Sequence, residues 1–116
     1  MTEKFIDGTK LSAEEIVRYM NYDCIRYCGK TYLKYGISKF YCGITCDIYD
    51  NYNRHKSIDF HGDDFEYICI YKCKDADTAA EVESLLREEG YDCGATLTFG
   101  NGGNEDSIFV YMFRKP

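Results

Sequence analysis

The stretch ISKFYCGITCDIYDNYNRH, residues 37–55, decides the fold. Its first half, Ile37–Ile44, is rich in β-branched and aromatic residues, with Phe40 and Tyr41 adjoining Ile44, and predicts a strand. Thr45-Cys46-Asp47 then supplies side chains that cap a helix, because a short polar side chain can accept from the unpaired N–H groups of a first turn. From Ile48 to about His55, Ile48 and Tyr52 stand four residues apart and so share one helical face.

Working outward, Lys30–Tyr35 reads as a second strand joined to Ile37–Ile44 at Gly36, an antiparallel hairpin. Further upstream, Ser12-Ala13-Glu14-Glu15 is a capping box, with Leu11 able to staple against Ile16, and predicts a helix from Ala13 to about Asn21 with Ile16, Val17 and Met20 inward. Downstream, a polar loop over 57–64, containing His61, Asp63 and Asp64, leads to a strand over Phe65–Cys73. Asp75 or Asp77 caps a helix from Thr78 to Glu89 whose Ala79, Val82, Leu85 and Leu86 face inward, and Gly90 stops it. The end predicts two strands, Ala95–Phe99 and Ser107–Phe113, around Gly100-Asn101-Gly102-Gly103-Asn104. The expectation is a single α+β domain over residues 1–116: a small antiparallel sheet flanked by helices.

Composition is consistent with that scale. The chain has 116 residues, 45% hydrophobic and 16% aromatic, enough apolar surface for one core and against global disorder. Fourteen basic and twenty acidic side chains give −6, which argues against nonspecific attraction to nucleic acid. The charge is uneven: residues 1–25 hold three basic and five acidic (−2), 26–56 six and two (+4), and 57–116 five and thirteen (−8). The middle block interleaves Arg26, Lys30, Lys34, Lys39, Arg54 and Lys56 with tyrosines. It reads equally as an anion-binding face with stacking surfaces or as an ordinary mixed-charge surface. No targeting signal or apolar run long enough to span a membrane is visible, so a cytoplasmic protein is expected. Seven cysteines are then free thiols. The pairs Cys24/Cys28, Cys42/Cys46 and Cys69/Cys73 read as small core residues ahead of metal ligands.

The segment Lys39-Phe40-Tyr41-Cys42-Gly43-Ile44-Thr45-Cys46-Asp47, with a following helix that ends in Arg54-His55, resembles the core of the GIY-YIG nuclease family. Tyr41-Cys42-Gly43 stands for the family's second motif, and Thr31-Tyr32-Leu33 for the first. His55 falls eight residues after Asp47, and Glu83 lies in the later helix where the family carries its metal-binding glutamate. The resemblance covers roughly residues 30–90 and leaves the first helix and the last hairpin outside. It departs at Asn51, which occupies the position of the family's catalytic arginine.

The resemblance implies a divalent-metal-dependent endonuclease. Phosphodiester hydrolysis needs an activated water and stabilised charge on the phosphoryl oxygens. Tyr32 would position or activate the water, Tyr41 would hold the phosphate or the water, His55 would aid proton transfer, and Glu83 would bind Mg²⁺ or Mn²⁺. Asn51 cannot provide the cationic clamp of an arginine, which leaves Arg54 or Lys39 to meet the phosphate. The other reading is a catalytically degenerate module of the same fold that binds nucleic acid, DNA ahead of RNA, or a protein partner. The structural expectation is that Tyr32, Tyr41, His55 and Glu83 converge on one concave surface.

Overall fold

The computed structural model describes residues 5–28, 36–63, 65–94 and 108–116. Its elements are β1 (Phe5–Asp7), α1 (Ala13–Cys28), a turn of 3-10 helix (Ile37–Lys39), β2 (Phe40–Thr45), α2 (Ile48–Ile58), β3 (Cys69–Lys72), α3 (Ala76–Glu89) and β4 (Phe109–Arg114). The strands form one four-stranded sheet in the order β1-β3-β4-β2. This is a small α+β fold.

Local chemistry sets the helix ends. The Ser12 hydroxyl accepts from Glu15 N–H at 3.2 Å while the Glu15 carboxylate accepts from Ser12 N–H at 2.9 Å, the reciprocal box expected from the sequence. α1 runs on past Asn21 to Cys28, because Met20, Cys24 and Cys28 continue its buried face at four-residue spacing and Asp23 is buried beside them. Asp47 caps α2 by accepting from Asp50 N–H at 3.0 Å, and that helix continues to Ile58. Asp75, and not Asp77, caps α3 through Thr78 N–H at 2.8 Å, so the helix starts at Ala76. Gly90 closes it with φ 114°, a left-handed conformation that glycine adopts without a Cβ clash.

The sheet differs from the expected one in four respects. It is mixed, since β1 lies parallel to β3 with Phe5 opposite Ile70, while β3–β4 and β4–β2 are antiparallel. The strand expected over Phe65–Cys73 is laddered only at Cys69–Lys72, although Phe65 and Tyr67 are buried ahead of it. The strand expected from Ile37 begins at Phe40, after the 3-10 turn. β4, which the sequence places in a peripheral hairpin, is interior to the sheet, paired with β3 on one side and β2 on the other. Its Val110, Tyr111, Met112 and Phe113 are all buried, as required of a strand covered on both faces. The proposed strands over 30–35 and 95–99, and the turn after the latter, lie outside the described residues. Among the described residues β2 is flanked by β4 and, at Phe40–Cys42, by Asp92, whose N–H donates to Phe40 C=O at 3.0 Å and whose C=O accepts from Cys42 N–H at 2.9 Å.

The period-2 alternation of β2 and β4 separates two cores. Phe40, Cys42, Val110 and Met112 face α1 and α3, where Ile16, Met20, Val82 and Leu86 cover them. Tyr41, Tyr111 and Phe113 face the opposite way, into an aromatic cluster with Phe65, Tyr67, Ile48, Tyr52 and Phe60. Among the described residues, no helix is long and apolar enough to cross a membrane.

Candidate active site

The aromatic face carries a polar network built around Gly43. Gly43 lies opposite Tyr111 in the β2–β4 register. A Cβ on Gly43 would stand 2.5 Å from the Tyr111 hydroxyl, so the absence of a side chain makes the space that oxygen occupies. Tyr111 Oη meets His55 Nε2 at 3.0 Å and Asn51 Nδ2 at 3.2 Å. Asn51 Oδ1 accepts from the Tyr67 hydroxyl at 2.7 Å, and His55 Nδ1 meets Asp59 Oδ2 at 2.5 Å.

One proton arrangement satisfies every member. The Asp59 carboxylate is an acceptor, so His55 Nδ1 carries the proton and Nε2 is a free lone pair. Tyr111 O–H then donates to Nε2 and accepts from the Asn51 amide, whose carbonyl takes the Tyr67 proton. Burial, aided slightly by the Arg54 charge, lowers the His55 pKa against the opposing pull of Asp59, which keeps the imidazole neutral at neutral pH. Burial also drives the Tyr111 phenol well above its ordinary range, so it remains a donor.

Tyr41 lies beside this network without joining it. Its ring stacks on Phe113 at 5.2 Å and tilts against His55 at 5.6 Å. The Tyr41 hydroxyl has no hydrogen bond among the described residues. Burial raises its pKa, and the Asp92 and Glu83 carboxylates push the same way while Arg54 opposes them. Those influences place Glu83 from α3 and Arg54 from α2 within electrostatic reach of one phenol on β2. A cavity of about 490 Å³ opens there, lined by Tyr41, His55, Asp59, Asp92, Phe113 and Lys115.

The sequence-predicted residues fall out as follows. Tyr41 and His55 share the cavity, and Arg54 and Glu83 lie within reach of Tyr41. Tyr32 lies outside the described residues. Asn51 is only 1% exposed and its amide is taken up by two phenols, so it is a core residue and not a ligand-facing one. Lys39 Nζ donates to the Pro116 carbonyl at 3.1 Å, which ties it to the end of β4. Six of the seven cysteines are buried, in line with their reading as packing residues, and Cys46 is exposed.

Glu83 provides a hard carboxylate oxygen. Its side chain is 23% exposed, Arg87 stands 4.0 Å away, and desolvation raises its pKa, so the carboxylate is held in place without being neutralised by a close ion pair. One such carboxylate fits Mg²⁺ or Mn²⁺, ions that keep several waters and take few protein ligands. Among the described residues no three His, Cys, Asp or Glu side chains gather into a cage.

Sequence reasoning missed Asp59, Tyr67, Asp92, Tyr111 and Lys115. Asp59 was accessible to it, four residues after His55 and on the same helical face. Asp92 and Lys115, paired at 2.9 Å, meet only through the tertiary fold. A scan against protein-family models and searches of curated proteins and of solved structures give no match to this chain.

Proposed function

We propose that this protein is a GIY-YIG-like, divalent-metal-dependent endonuclease that hydrolyses nucleic-acid phosphodiester bonds. The observation that carries the reading is that the His55 ring lies against Tyr41 on β2, at 5.6 Å, with the Arg54 and Glu83 charges in electrostatic reach of a Tyr41 hydroxyl that has no hydrogen bond among the described residues. With its pKa raised, Tyr41 keeps its proton at neutral pH and acts as a hydrogen-bond donor to a phosphoryl oxygen, not as the base. Arg54, exposed and without an ion pair among the described residues, supplies the positive charge absent at Asn51. His55 is neutral and oriented by Asp59. Its acceptor nitrogen meets the buried Tyr111 hydroxyl, and its ring lines the cavity, where it would aid proton transfer. Glu83 would hold Mg²⁺ or Mn²⁺, and such an ion supplies charge stabilisation to the phosphoryl and leaving oxygens.

The burial of Asn51 favours a second reading, a catalytically degenerate module that binds nucleic acid or a protein partner, because no side chain at that position can clamp a phosphate. Labelled DNA and RNA incubated with the protein, with Mg²⁺ or with chelator, separate the two. The nuclease reading expects cleavage that needs the metal and is lost in Glu83→Ala. Cleavage indifferent to Glu83→Ala overturns the mechanism; no cleavage with retained, salt-sensitive binding supports the module.

A further inference from the structure

The core between the sheet and helices α1 and α3 is rich in sulphur: Cys24, Cys28, Cys42, Cys69, Cys73 and Cys93 are all buried in it as free thiols. Backbone pairing sets two of them apart. Tyr41 and Asp92 form a parallel bridge, fastened on both sides by the hydrogen bonds that Asp92 makes to Phe40 and Cys42. Cys42 and Cys93 are the next residues on the two segments. They stand side by side, with both side chains on the α1/α3 face. Paired segments run roughly 4.7–4.9 Å apart, inside the Cα separation of about 4.4–6.8 Å that a disulfide tolerates.

Burial pushes the Cys42 thiol up, and the Cys93 thiol beside it adds to that shift. Cys93 S–H donates to the Glu83 carbonyl at 3.8 Å. Cys24 and Cys28 are also neighbours. They lie one turn apart on α1, about 6 Å along the axis, with side chains projecting in parallel, which is poor geometry for a bond.

We propose that Cys42 and Cys93 form a dithiol site that closes to an intramolecular disulfide by exchange with a low-molecular-weight disulfide. Cys93, at 6% exposure against 0% for Cys42, is where the oxidant enters. Its thiolate attacks one sulphur of the small disulfide, forming a mixed disulfide and releasing one thiolate. Cys42, giving up its proton, then attacks the Cys93 sulphur and expels the second thiolate. Both protein protons end on the two released thiols, so the small disulfide is reduced by two electrons as the protein dithiol is oxidised. The bond takes Cys93 off the Glu83 carbonyl and pins Asp92–Gly94 to β2. A Cβ on Gly94 would stand 3.1 Å from the Tyr41 hydroxyl, so the pinned segment is the flank of the candidate site. The inference does not depend on the nuclease reading.

The test is to incubate the full chain with glutathione disulfide, quench in acid, alkylate the denatured protein and map peptides by mass. The seven thiols should fall by two, to five, with one linked peptide joining Cys42 and Cys93. Cys93→Ser should abolish the link. Seven free thiols after oxidation, a glutathione adduct that never closes, or a link between any other pair would each overturn the proposal. Because mapping is done on the unaltered protein, the result stands whether or not the variant folds.

Discussion

On the α1/α3 face, Ile16, Met20, Phe40, Val82, Leu86, Val110 and Met112 meet with a set of thiols, and two hydroxyls reach α1, Tyr71 donating to Asp23 at 2.6 Å and Tyr91 to Asn21 at 2.7 Å. On the α2 face of the same strands, Tyr41, Tyr67 and Tyr111 bring hydroxyls into the cluster, and Asn51, His55 and Asp59 answer them. The first face is held mainly by volume, with its directional contacts gathered at α1. The second is held by direction as well, because its buried donors and acceptors are matched and the loss of a member takes a partner from its neighbour. The cavity opens on the directional face, where rigid polar groups can be aimed at a ligand.

The comparison breaks most visibly under truncation. Leu86→Ala should cost roughly 3–5 kcal/mol in urea unfolding, the ordinary penalty for a cavity in an apolar core. Asn51→Leu, which fills space on the other face, should cost roughly 2–4 kcal/mol by removing the buried amide that joins the Tyr67 and Tyr111 hydroxyls. Adding Tyr67→Phe to Asn51→Leu should recover part of that loss, since removing both partners of a buried hydrogen bond is cheaper than removing one. If Asn51→Leu proves neutral, the network does not hold the aromatic face and the contrast disappears.

What the sequence made legible was mostly local. The capping box at Ser12, the Asp47 cap and the Gly90 stop all depend on residues a few positions apart. The central place of β4 was not legible, because a buried strand and an edge strand of six residues share the same composition. β1 was hidden by its length of three residues and its position in a polar stretch. Asn51 was read by what it lacks, a charge. Its actual task depends on Tyr67 and Tyr111, 16 and 60 positions away, which no local pattern brings together. Gly43 was quoted as a motif residue, and only the register with Tyr111 shows that it vacates space for a phenol.

A smaller effect separates the faces by pH. His55 has a folded pKa below its ordinary value of about 6.5, so the unfolded chain binds the proton more readily. Stability from the network should be fully present above that ordinary value and should decline as pH falls below it toward the folded pKa. Protonation adds a donor at Nε2 facing the Tyr111 hydroxyl, which already accepts from Asn51, and its own proton then lacks an acceptor. Denaturation midpoints measured from pH 7.5 down to 5.5 should fall in the unaltered protein and fall less in His55→Gln. An unchanged slope in that variant would remove His55 as the cause.

Arg54→Ala should have the smallest effect on stability, within about 0.5 kcal/mol, because the residue is exposed and unpaired among the described residues. Its effect on the site should be of a different order. Arg54 lowers the pKa of Tyr41, so its removal should raise that pKa further, which an NMR titration of ring-labelled tyrosine can follow. If Arg54 supplies the charge that Asn51 cannot, cleavage should drop by roughly 10²–10³ while the unfolding curve stays in place. A variant that cleaves normally would show that the α2 face presents no cation to substrate. The directional network would then be a device of folding alone, and the two faces would differ in how they are held together but not in what they do.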